Sequence, residues 1–177
     1  MEIMVFEIKS NDPSVIIDVM TNFFSKIHGF IRKNCEFIDE NKTIQKDIGI
    51  DFVDMKNQKP LILGNKIALY FFNNDIKKKF LSQKFLEYKL IKENNSWILS
   101  ENEYIEIKRN RKVEKNKLNK TNLPPFIKYR KDNNYFTLFL DRKIQYTNSE
   151  KFFTSYGLCK NGSNLSKIFF FDNLDDK

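Results

Sequence analysis

Histidine is almost missing from this chain: His28 is the only one among 177 residues. The two cysteines, Cys35 and Cys159, lie far apart, so no Cys/His pair has zinc-ligand spacing. Structural zinc is excluded in practice, and so is any metal centre built on several histidines. Glycine and proline are also scarce, at five and four residues, and no Pro/Gly/Ser-rich linker divides the sequence. No apolar run approaches the roughly 18 residues of a membrane-crossing helix. The opening MEIMVFEIKS is acidic and strand-like, unlike a secretory leader. The expectation is a cytoplasmic protein with no membrane partner, no cofactor and no disulfide.

What is present is apolar and basic. Hydrophobic residues make up 41% and Phe alone accounts for 18 positions, enough core for one medium domain or two small ones. The formal charge is +8, yet residues 108–131 alone sum to +9, with ten Lys/Arg against the single acid Glu114. The positive charge is therefore concentrated in one stretch, which contains Lys108, Arg109, Arg111, Lys112, Lys115, Lys117, Lys120, Arg130 and Lys131. A local cation of this kind mixed with aromatics is the electrostatic footprint of a polyanion site, although a solvated lysine face has the same composition. Only five of the 31 basic residues are arginines, and Arg109 and Arg111 stand two apart in a segment, 104–111, that reads as a strand. Period-two spacing puts both on one face. Arg can fork onto guanine O6 and N7, whereas Lys acts on phosphate as a point charge. Residues 113–120 follow as a lysine-bearing helical segment, stopped by Asn122, Pro124 and Pro125.

In chain order, residues 2–9 read as a strand. Asp12 and Pro13 then mark a helix start, and Ile16, Met20, Phe23, Phe24, Ile27 and Ile31 keep a helical period. Residues 44–53 and 65–72 read as strands, a short helix capped by Asn74 or Asp75 follows, and a strand or two run to about residue 100. Strand, helix, strand, strand, helix, strand is the ferredoxin-like order. The predicted fold is α+β: a ferredoxin-like domain over 1–100, then a smaller RNA-binding α+β domain over 101–177 with the basic strand and helix. In the second half, 126–130, 134–140, 143–147 and 168–171 read as strands, and 152–163 holds two glycines close together.

A single histidine beside a polyanion site is compatible with RNA cleavage without a metal. RNA carries its own nucleophile, the 2′-hydroxyl, so a protein need only deprotonate it, align it and support the leaving 5′-oxygen. Imidazole has the ordinary pKa for the base. His28 borders the apolar stripe beside Gly29, a position that also suits a purely structural histidine. Tyr156, between Ser155 and Gly157, is placed to orient an imidazole or phosphate, or to fill the core.

Several segments together resemble one family, the CRISPR-associated repeat-RNA endoribonucleases of the type I-F subtype. MTNFFSKIH (20–28) resembles that family's first-helix segment ending in its catalytic histidine; YFTLFL (135–140) and FFTSYGLCKNGS (152–163) resemble its C-terminal strand and TxYGLxKxG signature. The resemblance covers most of the chain. It implies that His28 activates the 2′-hydroxyl, that Tyr156 holds it in place, and that Phe136 stacks under the closing base pair of a hairpin stem. It also implies that Arg109 contacts guanine, that Arg111 stands where the family often has a glutamine, and that Lys115, Lys117 and Lys120 stand in for its arginine-rich helix. Lys131 falls where the family type has a serine near the nucleophile, and Cys159 where a serine is usual. The implied partners are a CRISPR repeat hairpin, the mature crRNA and the other subunits of a type I-F effector complex. A non-cleaving RNA-binding subunit is the alternative, and a basic structural or DNA-binding protein a third.

Overall fold

The structure is a computed structural model that describes residues 1–56, 63–111, 125–131 and 134–171, with the backbone alone at Lys131. The fold is α+β, with two α-helices among the described residues and antiparallel sheets. Chain order runs β1 (Glu2–Ile8), α1 (Pro13–Asn34), β2 (Ile44–Gln45), β3 (Ile48–Phe52), β4 (Lys66–Phe71) and α2 (Asn74–Leu81). A 3-10 turn at Lys84–Glu87 leads to β5 (Ile91–Glu93), followed by β6 (Trp97–Arg109), β7 (Phe126–Lys131), β8 (Asn134–Gln145), β9 (Phe153–Thr154) and β10 (Leu165–Phe170).

Helix α1 starts where the Asp12-Pro13 pair predicts. The Asp12 carboxylate accepts the Ser14 amide proton at 2.8 Å, and proline occupies the first turn, where its missing N–H costs nothing. Its stripe of Met20, Phe23, Phe24, Ile27 and Ile31 is buried. Helix α2 is capped by Asn73 rather than by Asn74 or Asp75, its side chain accepting from the amides of Asp75 and Ile76.

The first sheet has strand order β3-β4-β1-β5, every neighbour antiparallel. Alternation along its strands sends successive residues to opposite faces. Phe6, Phe52 and Phe71 meet helix residues Phe23, Phe24 and Phe80 on one face. Gly49, Asp51 and Tyr70 meet the second sheet on the other: Tyr70 donates its hydroxyl proton to the Ser166 carbonyl at 2.5 Å, and Arg142 reaches Asp51. All five residues of β3 are buried for this reason.

The second sheet has order β10-β6-β8-β7. The segment to about residue 100 and the segment 104–111, expected as separate strands, are joined in the single strand β6, which runs across residue 100 and stops at Arg109, two residues short of Arg111. Likewise the segments expected at 134–140 and 143–147 join in one strand, β8, which ends at Gln145. The two-residue ribbon β2-β9 ties Ile44 and Gln45 to Thr154 and Phe153. No described helix is long and apolar enough to cross a membrane.

Candidate active site

Ser25, His28, Gly29 and Arg32 are spaced three, four and seven residues apart on α1, which puts them on one helix face beside the buried stripe. Opposite them, β7 presents Tyr129 and Arg130, and the turn after β9 presents Ser155 and Tyr156; together these eight line a cleft of about 470 Å³. Two hydrogen bonds tie the walls of the cleft to their neighbours. The Arg130 amide donates to Ser25 Oγ at 2.9 Å, and the Ser155 amide donates to the Thr43 carbonyl at 3.0 Å.

His28 Nδ1 lies 2.7 Å from the Ser155 carbonyl oxygen. A carbonyl only accepts, so Nδ1 carries the proton and the basic lone pair of the neutral ring is on Nε2. The imidazole stacks on Tyr156 with centroids 4.4 Å apart and planes 17° apart, and meets Tyr129 edge-on at 5.4 Å. The two tyrosine hydroxyls are 2.9 Å apart. Tyr129 also stacks on Phe136 at 5.2 Å, so His28, Tyr156, Tyr129 and Phe136 form one aromatic run that ends on the 42%-exposed ring of Phe136. Burial, and then the hydrogen bond with Tyr129, push the Tyr156 phenol up to about 12. It is a neutral donor at ordinary pH.

Tyr156 holds its place because of Gly157. At φ +76° this glycine makes a turn that side-chain-bearing residues resist; its amide donates to the Thr154 carbonyl, and its carbonyl accepts the Ile50 amide at 2.8 Å. A Cβ there would lie 2.5 Å from Ile50 Cγ1, so the turn sits directly on β3.

Ser155 and Tyr156 also wall a second, larger groove of about 970 Å³, with Lys108, Arg109 and Arg111 along its other side. The predicted guanine readers and the predicted base thus open onto one continuous surface. The Arg109 charge is close enough to oppose part of the upward shift on Tyr156. Arg111 lies two residues past the end of β6, so the pair is not presented by one regular strand as its spacing predicts. Lys108 is paired with Glu106 at 3.0 Å, which blunts its charge. Lys112, Lys115, Lys117 and Lys120 lie outside the described residues, as does the side chain of Lys131, whose backbone closes β7.

The structure adds to the sequence-based set Tyr129, Ser25, Arg32 and the Ser155 carbonyl, and on the groove side Lys160 and Asn161. Among the described residues, no group of three or more His, Cys, Asp and Glu side chains forms a metal-binding set. Cys35 and Cys159 are free and buried, and burial pushes both thiols up, Cys159 to about 12. Neither is poised as a nucleophile. No protein-family model matches the chain, and no curated protein matches it.

Proposed function

We propose that this protein is a metal-independent endoribonuclease that binds the hairpin of a CRISPR repeat transcript and cuts at the 3′ base of the stem. The observation that carries this reading is the imidazole of His28, stacked on Tyr156 and fixed through Nδ1, at the junction of a cleft and a groove lined by Arg109 and Arg111. His28 Nε2 takes the 2′-hydroxyl proton, the 2′-oxygen bonds to the adjacent phosphorus, and the bond from phosphorus to the 5′-oxygen breaks. The departing oxygen takes a proton, leaving a 2′,3′-cyclic phosphate and a 5′-hydroxyl. The neutral phenol of Tyr156 donates to the ribose or phosphate and keeps the imidazole in plane. Phe136 offers its open ring to the closing base pair, Arg109 and Arg111 face guanine edges, and Lys108 with Arg130 attends the backbone. Lys131 is assigned to the charge that builds on phosphorus.

The N-terminal half is read as ferredoxin-like; its support is the β3-β4-β1-β5 order with both helices packed on one face. In this reading the enzyme keeps its crRNA product and joins the other subunits of a type I-F effector complex.

The test is a single-turnover assay of the cognate repeat hairpin in EDTA, with a parallel substrate carrying 2′-deoxyribose at the scissile position. Cleavage of the first alone is expected, and His28→Ala should slow it about 10²–10⁴-fold. Cutting of the deoxy substrate refutes the chemistry. Hairpin binding without product selects the non-cleaving RNA-binding subunit, and equal affinity for duplex DNA at the same salt selects the general basic protein.

A further inference from the structure

The outer face of the β7-β8 hairpin meets the cleft only at Arg130. Along β7, Ile127 and Tyr129 are buried while Phe126, Lys128 and Arg130 are exposed, so period-two alternation separates a core face from a solvent face. Register sets Phe126 opposite Phe139, Lys128 opposite Thr137 and Arg130 opposite Tyr135. Phe126 and Phe139 meet edge to face at 5.9 Å, Phe126 is 40% exposed, and Tyr135 is 61% exposed. Two cations thus alternate with open aromatic rings on one flat face. Asp141, the acid farther along the same row, is paired with Lys143 at 3.4 Å. Arg130 joins this face to the cleft, because it also lines the wall beside His28.

We propose that this face is a track for single-stranded RNA leaving the cleft, its bases stacking on Tyr135 and Phe126 and its phosphates meeting Lys128 and Arg130. Aromatic platforms with interspersed cations suit a strand of any sequence, since every base has a face to stack and every linkage carries a charge. A protein partner fits less well: the centres of protein interfaces are depleted in lysine, and here Lys128 lies in the middle of the row. The track extends the RNA-cleaving reading to an unpaired flank of the substrate and rests on that reading for its ligand.

The experiment titrates a fluorescein-labelled 12-mer of oligoadenylate into the full chain at fixed salt, and repeats the titration with unlabelled polyphosphate as competitor. Tyr135→Ala should weaken oligoadenylate about tenfold while leaving polyphosphate unchanged, and Tyr135→Phe should restore the affinity. Lys128→Gln should weaken both ligands and lower the slope of affinity against salt by about one. His28→Ala should leave oligoadenylate affinity intact, so loss of cleavage and loss of the track are read separately. Unchanged affinity in Tyr135→Ala overturns the proposal. So does tighter binding of oligodeoxyadenylate, which assigns the face to DNA. Absence of oligoadenylate binding by the wild type also overturns it and leaves the face to a protein.

Discussion

Breaking the Asp51–Arg142 pair should destabilise the whole chain and loosen the candidate site with it. Arg142 makes a two-pronged contact, Nε to Oδ1 at 2.8 Å and Nη2 to Oδ2 at 2.9 Å; the Asp51 side chain is fully buried and that of Arg142 is 11% exposed. The two residues belong to different sheets, β3 and β8, so the contact spans the interface between them. Asp51→Leu takes away the carboxylate that the buried guanidinium grips, and Arg142→Met leaves the carboxylate without that grip; either single change should cost about 3–5 kcal/mol. At about 2–4 °C per kcal/mol for a chain of this size, the melting midpoint should fall by about 6–20 °C. The double variant Asp51→Leu/Arg142→Met removes both charges and should recover most of the loss. Asp51 follows Ile50, whose amide holds the Gly157 carbonyl, so the single variants should also slow cleavage at temperatures where they remain folded. Calorimetry on the four proteins decides the matter. Single variants within about 1 kcal/mol of wild type, or a double variant equal to the sum of the singles, would show that the pair is not the cross-sheet tie.

Three further outcomes are expected. Tyr156→Ala removes the ring that backs His28 and should lower cleavage at least as much as Tyr156→Phe, which keeps the stack but takes away the hydroxyl 2.9 Å from that of Tyr129 and should cost about 1–3 kcal/mol in a urea melt; equal activity of Tyr156→Ala and wild type would remove Tyr156 from the site. Gly157→Ala should destabilise by more than 1 kcal/mol through both its positive φ and the contact with Ile50, measured by the same melt, and a neutral result would mean the turn has room to move. Burial raises the phenols of Tyr70 and Tyr156, so the folded state holds those protons more tightly than the unfolded chain does. The resulting stability is fully present below about pH 10 and is lost as pH rises from there toward and beyond 12. Tyrosinate absorbance tracked alongside circular dichroism should show the last of the seven tyrosines ionising together with unfolding, and ionisation of all seven in a protein that is still folded would contradict it.

Helix α1 was legible because cap, proline and stripe agree, and His28 follows from it at the flank of that stripe. Strand β7 and the first part of β8 were legible as strands at 126–130 and 134–140. Continuous β6 was not: residues 100–103 are Ser, Glu, Asn and Glu, all polar and two of them exposed, and nothing in a polar stretch signals that a strand persists through it. Arg111 was placed on that strand by spacing alone, whereas the strand ends at Arg109 and Asn110 donates one further backbone bond, to Phe139. Tyr129 carries no local mark of its role, being one aromatic among many whose partner is 27 residues away. The group that fixes the His28 tautomer is a backbone carbonyl, which every residue has, so only folding reveals that Ser155 supplies it.

The hydrogen bond between His28 and Ser155 closes a loop of 127 residues. During synthesis the helix bearing the imidazole emerges early and waits, since the tyrosine, the carbonyl and the ribbon β2-β9 that seats them arrive only with the last strands. Contacts between such distant parts of a chain form slowly. A chain made only as far as β8 therefore carries the histidine without its Tyr156 stack or its Ser155 hydrogen bond, and both arrive together once β9 and the turn after it have formed.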